Sequence, residues 1–199
     1  MGACDSLRRM RDGAALALND RVVTEELQRL IALAARSDAP VLIQGEPGSD
    51  KEIVARLLHT QSRRAGAPFI VVDCGAAGGK SVERELFGYW TDVLGAADAA
   101  NPGLIAAAES GTLLFQELND IPGPIQIRLS KFLDQGTYHA AGSKRMLHAD
   151  VRIVGATTQD LQARVLQGRF SDDLLYRISA VTLRIPPLPT LVMKLTRPG

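Results

Sequence analysis

The chain has few cysteines, no long apolar run and no excess of charge of either sign. Its two cysteines, Cys4 and Cys74, form no C-x-x-C pair, which argues against a disulfide framework and against a zinc site. No apolar run approaches the roughly 18 residues of a membrane-spanning helix, and the N-terminus lacks the layout of a signal peptide. Lysine and arginine number 23 against 22 aspartates and glutamates, so the net charge of +1 gives no reason to expect nucleic-acid or membrane binding. These absences favour a reduced, cytoplasmic protein.

Strand-like and helix-like segments alternate along the chain. With 199 residues, 46% of them hydrophobic, the chain can bury one sizeable core. Strands are predicted at 41–44, 69–72, 112–115, 151–156 and 181–185, and helices at 25–35, 51–61, 83–87, 125–133, 161–166 and 172–176. Residues 88–103 are predicted to form a loop, and residues 138–145 a short hairpin around Gly142. The alternation is typical of βαβ units, and therefore of a parallel sheet that binds ligands at the carboxyl ends of its strands.

Residues 45–52 read GEPGSDKE and lie between a predicted strand and a predicted helix. They resemble the phosphate-binding loop G-x-x-x-x-G-K-[ST], in which backbone N–H groups and the start of a helix face the phosphates. The candidate nucleotide-binding residues are Gly45, Glu46, Pro47, Gly48, Ser49, Asp50, Lys51 and Glu52. Asp50 replaces the second glycine and brings a carboxylate towards an anionic ligand. At about 4 Å and an effective dielectric near 20, the repulsion is roughly 4 kcal/mol.

An ordered series of motifs extends the pattern along most of the chain. It comprises VLIQGEPGSDKEIVARLLHTQSRRAGAPFIVVDC, ELFG, PGLIAAAESGTLLFQEL, IRLSKFLDQG, DVRIVGATTQDL and GRFSDDLLYRI. In this order and spacing the series resembles the central AAA+ domain of bacterial enhancer-binding proteins, the sigma-54 activators. The resemblance implies a lead-in at 1–20, an AAA+ sigma-54-interaction-like domain at 21–188 and a short tail at 189–199. It also implies a P-loop NTPase fold, a three-layer αβα sandwich with a mainly parallel sheet.

The family binds ATP with Mg2+, forms rings and remodels RNA polymerase holoenzyme, and the resemblance implies the same ancestry here. Lys51 matches the family's phosphate-contacting lysine, and Glu52 is ordinary for the family at its position. The family's Asp-Glu pair, which holds magnesium and polarises the attacking water, is Gln116-Glu117 in this chain. A neutral amide is a poorer ligand for a hard cation than a carboxylate. Glu117 remains the candidate catalytic base, or a polar strand end.

Further departures fall at other positions that serve chemistry in the family. Asp73 replaces a switch asparagine, Thr158 a sensor asparagine, and Ser171 the first arginine of the arginine-finger segment. Arg177 matches the second arginine, so it is the remaining candidate finger, or else an interface or surface residue. No residue is assigned as a metal ligand. A further hypothesis is that Asp50 partly replaces the carboxylate lost at position 116.

The partners that the resemblance implies are also altered. The family's sigma-factor contact loop reads Gly-Ala-Phe-Thr-Gly-Ala, but residues 92–97 of this chain read DVLGAA. The aromatic residue and the threonine that contact the sigma factor are therefore missing, and a sigma contact is not expected. An AAA+ homo- or hetero-oligomer remains open. We expect no helical lid, no direct DNA-binding element and no membrane contact from this chain.

Three functions compete on these observations. The first is a degenerate ATP-binding domain, related to sigma-54-dependent transcriptional regulators, that hydrolyses little ATP and acts through protein contacts. The second is a slow but genuine ATPase that activates RNA polymerase. The third is a truncated, inactive remnant. Because the changes at positions 50 and 116 weaken phosphate and metal binding respectively, we favour the first, with weakened ATP and Mg2+ affinity.

Overall fold

The computed structural model describes residues 25–75, 79–89, 101–143 and 145–186. The predicted lead-in at 1–20, the sigma-contact position at 92–97 and the tail at 189–199 lie outside the described residues. Within the described part of the chain, no helix is long and apolar enough to cross a membrane.

Helices and strands follow one another in the predicted order. The helices are α1 (Glu25–Ala35), α2 (Lys51–Thr60), α3 (Gly79–Phe87), α4 (Gly103–Ala107), α5 (Gly123–Gln135), α6 (Leu161–Leu166) and α7 (Asp172–Ile178). The strands are β1 (Val41–Gln44), β2 (Phe69–Asp73), β3 (Thr112–Gln116), β4 (Thr137–His139), β5 (Met146–His148), β6 (Arg152–Thr157) and β7 (Val181–Arg184). A 3₁₀ turn covers Leu118–Asp120.

Five strands form a sheet in the order β2-β3-β6-β1-β7, and every pairing between them is parallel. The register aligns the carboxyl ends of the strands, with Gln44 opposite Thr157 and Asp73 opposite Gln116. The prediction of a parallel sheet is therefore confirmed. The side chains that end these strands meet at one edge of the sheet, where ligands bind in open α/β folds.

Successive residues of each buried strand point to opposite faces of the sheet, which makes two cores. On one face Val41, Ile43 and Val154 pack with residues of α1 and α2. On the other face Leu42 and Phe115 pack with residues of α3 to α7. The result is the three-layer αβα sandwich that was predicted.

The predicted bounds differ from the structure mainly where the apolar pattern is weak. Helix α3 starts at Gly79, four residues before the predicted start. Its first residues, GKSV, contain little apolar periodicity, so the sequence pattern did not indicate a helix there. Helix α4 (Gly103–Ala107) was not predicted, since five residues are too short to show a helical period. Its Ile105 is fully buried, so tertiary packing fixes it. The predicted hairpin exists, with β4 and β5 antiparallel on either side of Gly142.

Candidate functional site

The candidate loop, residues 45–52, joins the central strand β1 to helix α2 at the carboxyl edge of the sheet. The Gly45 N–H donates to the Thr157 carbonyl at 3.2 Å, so the loop leaves the sheet in register with β6. The Ser49 N–H donates to the Glu46 carbonyl at 3.1 Å and closes a turn. Gly48, with a φ of 77°, occupies the left-handed region that glycine adopts freely.

Asp50 also has a left-handed backbone, with φ 50° and ψ 38°, and it precedes the first turn of α2. Its exposed side chain makes no capping hydrogen bond to that helix. A left-handed conformation costs a residue with a Cβ roughly 1–2 kcal/mol, although aspartate tolerates it better than most residues. Residue 50 thus has a backbone conformation that glycine adopts freely. This explains why the phosphate-loop pattern has glycine there.

Between Gly48 and Glu52, four backbone N–H groups remain available to a ligand. Those of Gly48, Asp50, Lys51 and Glu52 donate to no residue in the described part of the chain. Successive amides at the start of a helix form a concave anion site, reinforced by the helix dipole. Free amides at this position are the kind of group that binds a phosphate.

The Lys51 ammonium lies over the same loop. Its Nζ donates to the Glu46 carbonyl at 2.9 Å, and lies 3.3 Å from the Gly45 carbonyl and 3.5 Å from the Ser49 hydroxyl. These acceptors are neutral, so the positive charge stays uncompensated by them. The predicted phosphate-contacting lysine is therefore beside the amides that were predicted to act with it.

Gln116, at the end of β3, contacts the other end of the loop. Its Nε2 donates to Glu52 Oε2 at 2.6 Å. The other Glu52 oxygen accepts from the Nε and Nη2 atoms of Arg56, at 2.9 and 2.6 Å. Both Glu52 oxygens are thus bound by side chains of this chain. Arg56 was not predicted as part of the site, although its i, i+4 spacing from Glu52 on a helix indicates this ion pair.

Glu117 follows Gln116 and has a left-handed backbone with φ 46°. Its Oε2 accepts a hydrogen bond from the Thr158 hydroxyl at 2.8 Å. The residue predicted at the sensor position therefore contacts the candidate catalytic base. Asp73 turns towards its own loop, where its Oδ1 accepts from the Gly75 N–H at 2.9 Å.

A buried network behind Glu117 was not anticipated from the sequence. The Thr157 hydroxyl donates to Asn119 Oδ1 at 2.9 Å, and Arg164 Nη1 donates to the Asn119 carbonyl at 2.9 Å. These bonds tie the 3₁₀ turn after β3 to β6 and α6. No local sequence pattern indicates these bonds, because the partners are about 40 residues apart.

Arg177 lies on α7 and pairs within its own chain. Its Nε donates to Asp173 Oδ1 at 3.1 Å, and its Nη1 pairs with Asp134 on α5. The hydrogen bond that Arg177 donates to Asp173, and then the one it donates to Asp134, raise the pKa of the Arg177 guanidinium. Ser171, where the family has its first finger arginine, is the N-cap of α7 and accepts from the Leu174 N–H at 3.3 Å. The structure gives Arg177 two carboxylate partners; a catalytic role for it stays a prediction.

Two further titratable residues are structural. Cys74 is buried, and burial, followed by the charge of Asp73, raises the pKa of its thiol to about 12. His59 is also buried and bonds through Nδ1 to the Thr112 hydroxyl at 2.9 Å. Desolvation lowers the pKa of His59. Neither side chain is part of the loop.

A cavity of about 600 Å³ lies between α1, α7 and the strands β1 and β7. Gln44, which immediately precedes Gly45, forms one wall, and Arg184 of β7 donates to Gln44 Oε1 at 3.3 Å. Leu30 of α1 and Leu175 of α7 supply apolar walls. The cavity therefore has both polar and apolar walls, and it reaches the loop only as far as Gln44.

The site fits phosphate better than it fits a divalent cation. Four available amides and the Lys51 ammonium suit the phosphate oxygens of a nucleotide. For a cation, Gln116 offers a neutral carbonyl and Glu52 is engaged by Arg56. No cluster of three or more His, Cys, Asp or Glu residues suited to a metal ion occurs among the described residues. The fold and the loop together define a P-loop NTPase domain of the AAA+ type.

Comparison with known families identifies the group more closely. The profile of the Sigma-54 interaction domain matches residues 17–184, and the chain belongs to this family. The chain is 43% identical over 162 residues to the response regulator protein PilR of Pseudomonas aeruginosa, covering 81% of the chain and 36% of PilR. It is 39% identical to the transcriptional regulator NtrC of Rhizobium meliloti, covering 82% of the chain and 34% of NtrC. The chain therefore spans about a third of the length of these regulators.

Solved structures of similar fold agree with the AAA+ architecture. NtrX from Brucella abortus in complex with ADP is 30% identical, with a TM-score of 0.77 over 93% of this chain and 40% of NtrX. The P-loop NTPase domain of a sigma-54 activator from Escherichia coli is 18% identical, with a TM-score of 0.57, over 82% of this chain and 94% of that domain. At that identity the second comparison supports the fold alone.

Proposed function

We propose that this chain is a degenerate nucleotide-binding domain of a transcriptional regulator. It binds the phosphate groups of ATP or ADP on the loop at 45–52, hydrolyses ATP poorly or not at all, and acts through protein contacts. Relatedness to sigma-54-dependent regulators supports the transcriptional role. We further propose that it works in the cytoplasm.

One observation supports this proposal above the others: the part of the site that would bind phosphate keeps its groups, whereas the part that would bind the metal ion does not. The phosphate half keeps the amides of the loop and the Lys51 ammonium. The metal half has Gln116 where the family has aspartate, and its amide is bonded to Glu52. Phosphate binding and phosphate cleavage are therefore separable here, because hydrolysis requires both halves and binding requires mainly the first.

The residues would divide the work as follows. The amides of Gly48, Asp50, Lys51 and Glu52 would bind phosphate oxygens, and the Lys51 side chain would move from the loop carbonyls to the more negative phosphates. Bound ATP would supply the phosphoanhydride bond, and Glu117 would orient water beside it. Asp50 would oppose binding through its charge. In this proposal the domain binds nucleotide with lowered affinity.

A slow but genuine ATPase is the second candidate. It is favoured by Glu117, whose carboxylate is held by the Thr158 hydroxyl at 2.8 Å at the same sheet edge as Lys51. Such an enzyme would need a partner domain to supply an arginine, and Arg177 could serve in a homo- or hetero-oligomer. We do not propose a sigma-factor contact, since the residues at 92–97 lack the family signature.

The experiment is a titration of the purified chain with a fluorescent ATP analogue, beside a phosphate-release assay. Binding at micromolar concentration without turnover is the expected result. Turnover that Glu117→Gln abolishes would favour the ATPase instead. A cooperative melt with neither binding nor turnover would leave an inactive remnant, which contradicts the proposal.

A further inference from the structure

We propose that binding of ADP or ATP at this site does not depend on a divalent cation. The inference rests on the proposed function, because it presupposes that the loop at 45–52 binds nucleotide. It concerns what Gln116 does in place of a metal-holding carboxylate.

The orientation of the Gln116 amide is fixed by its partner. A carboxylate accepts hydrogen bonds and cannot donate them, so only the NH2 end of Gln116 can lie 2.6 Å from Glu52 Oε2. Gln116 therefore acts as a donor across the cleft between β3 and α2. What it leaves for a cation is one neutral carbonyl oxygen. A neutral oxygen contributes much less to Mg2+ binding than the charge of a carboxylate.

Glu52 cannot take over the missing role without losing its own partners. Its Oε1 accepts two hydrogen bonds from Arg56, and its Oε2 accepts the one from Gln116. The Arg56 charge offsets the Glu52 charge at 2.6 Å. A cation here would have to displace a charge-assisted bond and turn Gln116 away from the cleft.

Three other carboxylates near the site are also bound by this chain or exposed. Glu117 accepts from Thr158, and Asp73 accepts from the Gly75 N–H. Asp50 is exposed and makes no hydrogen bond to its helix. Mg2+ usually binds through one or two carboxylates plus phosphate oxygens, with water filling the other positions. The protein therefore adds little to the affinity that the nucleotide has for the cation by itself.

Removing the cation changes the electrostatics in two directions that offset each other. The phosphates become more negative, so their attraction to the Lys51 ammonium and to the four amides grows. Their repulsion by the Asp50 carboxylate grows as well, and Asp50 and Lys51 are adjacent in the chain. Because the two effects have opposite signs and partly cancel, the affinity with and without the cation should be similar.

The test measures the Kd of ADP and of ATP by isothermal titration calorimetry, once with EDTA and once with excess Mg2+. For the unmodified chain, the two Kd values should agree within about threefold, since no charged protein ligand is added. Gln116→Asp restores a carboxylate and should make binding at least about tenfold tighter with Mg2+ than with EDTA. Gln135→Asp, on the exposed end of α5, changes the net charge equally and should leave the ratio unchanged.

A second measurement needs no variant. Electron paramagnetic resonance of Mn2+ added to the ADP complex should show no site tighter than that of free ADP. Tight nucleotide binding that requires Mg2+ would overturn the inference and leave the proposed function standing. If Asp50→Gly then lost this Mg2+-dependent binding, Asp50 would be identified as the metal ligand. Absence of binding under both conditions would overturn both proposals.

Discussion

The Thr158 hydroxyl donates to Glu117 Oε2 at 2.8 Å, so the sensor position and the candidate catalytic base are in direct contact. The two residues lie on neighbouring strand ends, after β6 and β3. A hydroxyl can hold the carboxylate in one orientation, whereas an amide could hold it and also donate to a ligand. The candidate base is therefore held by Thr158, whereas position 116 offers a cation only a neutral amide.

The double variant Asp50→Gly, Gln116→Asp should raise ATP turnover in the presence of Mg2+ by at least about tenfold over the unmodified chain. The first change removes the charge beside the phosphates, and the second restores a metal-binding carboxylate. Phosphate release at saturating ATP measures the effect. Glu117→Gln in the double-variant background is the control and should remove the gain. No gain from the double variant would show that the defect lies elsewhere.

Asp50→Gly and Asp50→Ala separate the charge of residue 50 from its backbone conformation. Both should tighten nucleotide binding by about tenfold or more, because both remove the carboxylate. Their stabilities should differ, since alanine at φ 50° is strained and glycine is not. We expect Asp50→Ala to unfold about 1 kcal/mol more easily than Asp50→Gly in urea. Equal stabilities would mean that the left-handed conformation at position 50 relaxes in the variant.

Lys51→Ala should weaken nucleotide binding by about tenfold or more, since the ammonium lies over the loop amides. The melting temperature should change little, because the Lys51 acceptors are neutral groups of the loop and no ion pair is lost. Fluorescent-nucleotide titration and a thermal melt together measure both effects. Lys131→Ala, an exposed lysine of α5, is the matched control and should leave the affinity unaltered. Similar losses in the two variants would point to a general charge effect.

His59 should make the fold sensitive to acid. Burial lowers the pKa of His59 in the folded chain below its ordinary value of 6.5, so the unfolded chain takes up a proton first as the pH falls. The stability linked to His59 is complete above pH 6.5 and is lost as the pH falls from there towards the folded-state pKa. In His59→Gln, the free energy of unfolding measured in urea should depend less steeply on pH below about 6.5. An unchanged slope would assign the acid sensitivity to other groups.

Several features of the site could be predicted from the sequence because they depend on contiguous residues. The loop at 45–52 lies between β1 and α2 as its pattern predicts, and Lys51 is beside its amides. Strand β3 ends at Gln116 and β6 at Thr157. The altered residues Gln116 and Thr158 therefore lie at the predicted edge of the sheet. Short elements such as α4 could not be predicted, since packing of Ile105 rather than local propensity specifies them.

The sequence by itself determined the family, the alternation of strands and helices, and the chemical identity of each altered position, because these are properties of local pattern and motif order. Only the tertiary structure decided which partner each altered side chain has. Gln116 bonds to Glu52, 64 residues away, and Thr158 bonds to Glu117, 41 residues away. Such pairings depend on the order and register of the strands in the sheet, which set the distances between groups remote in the chain.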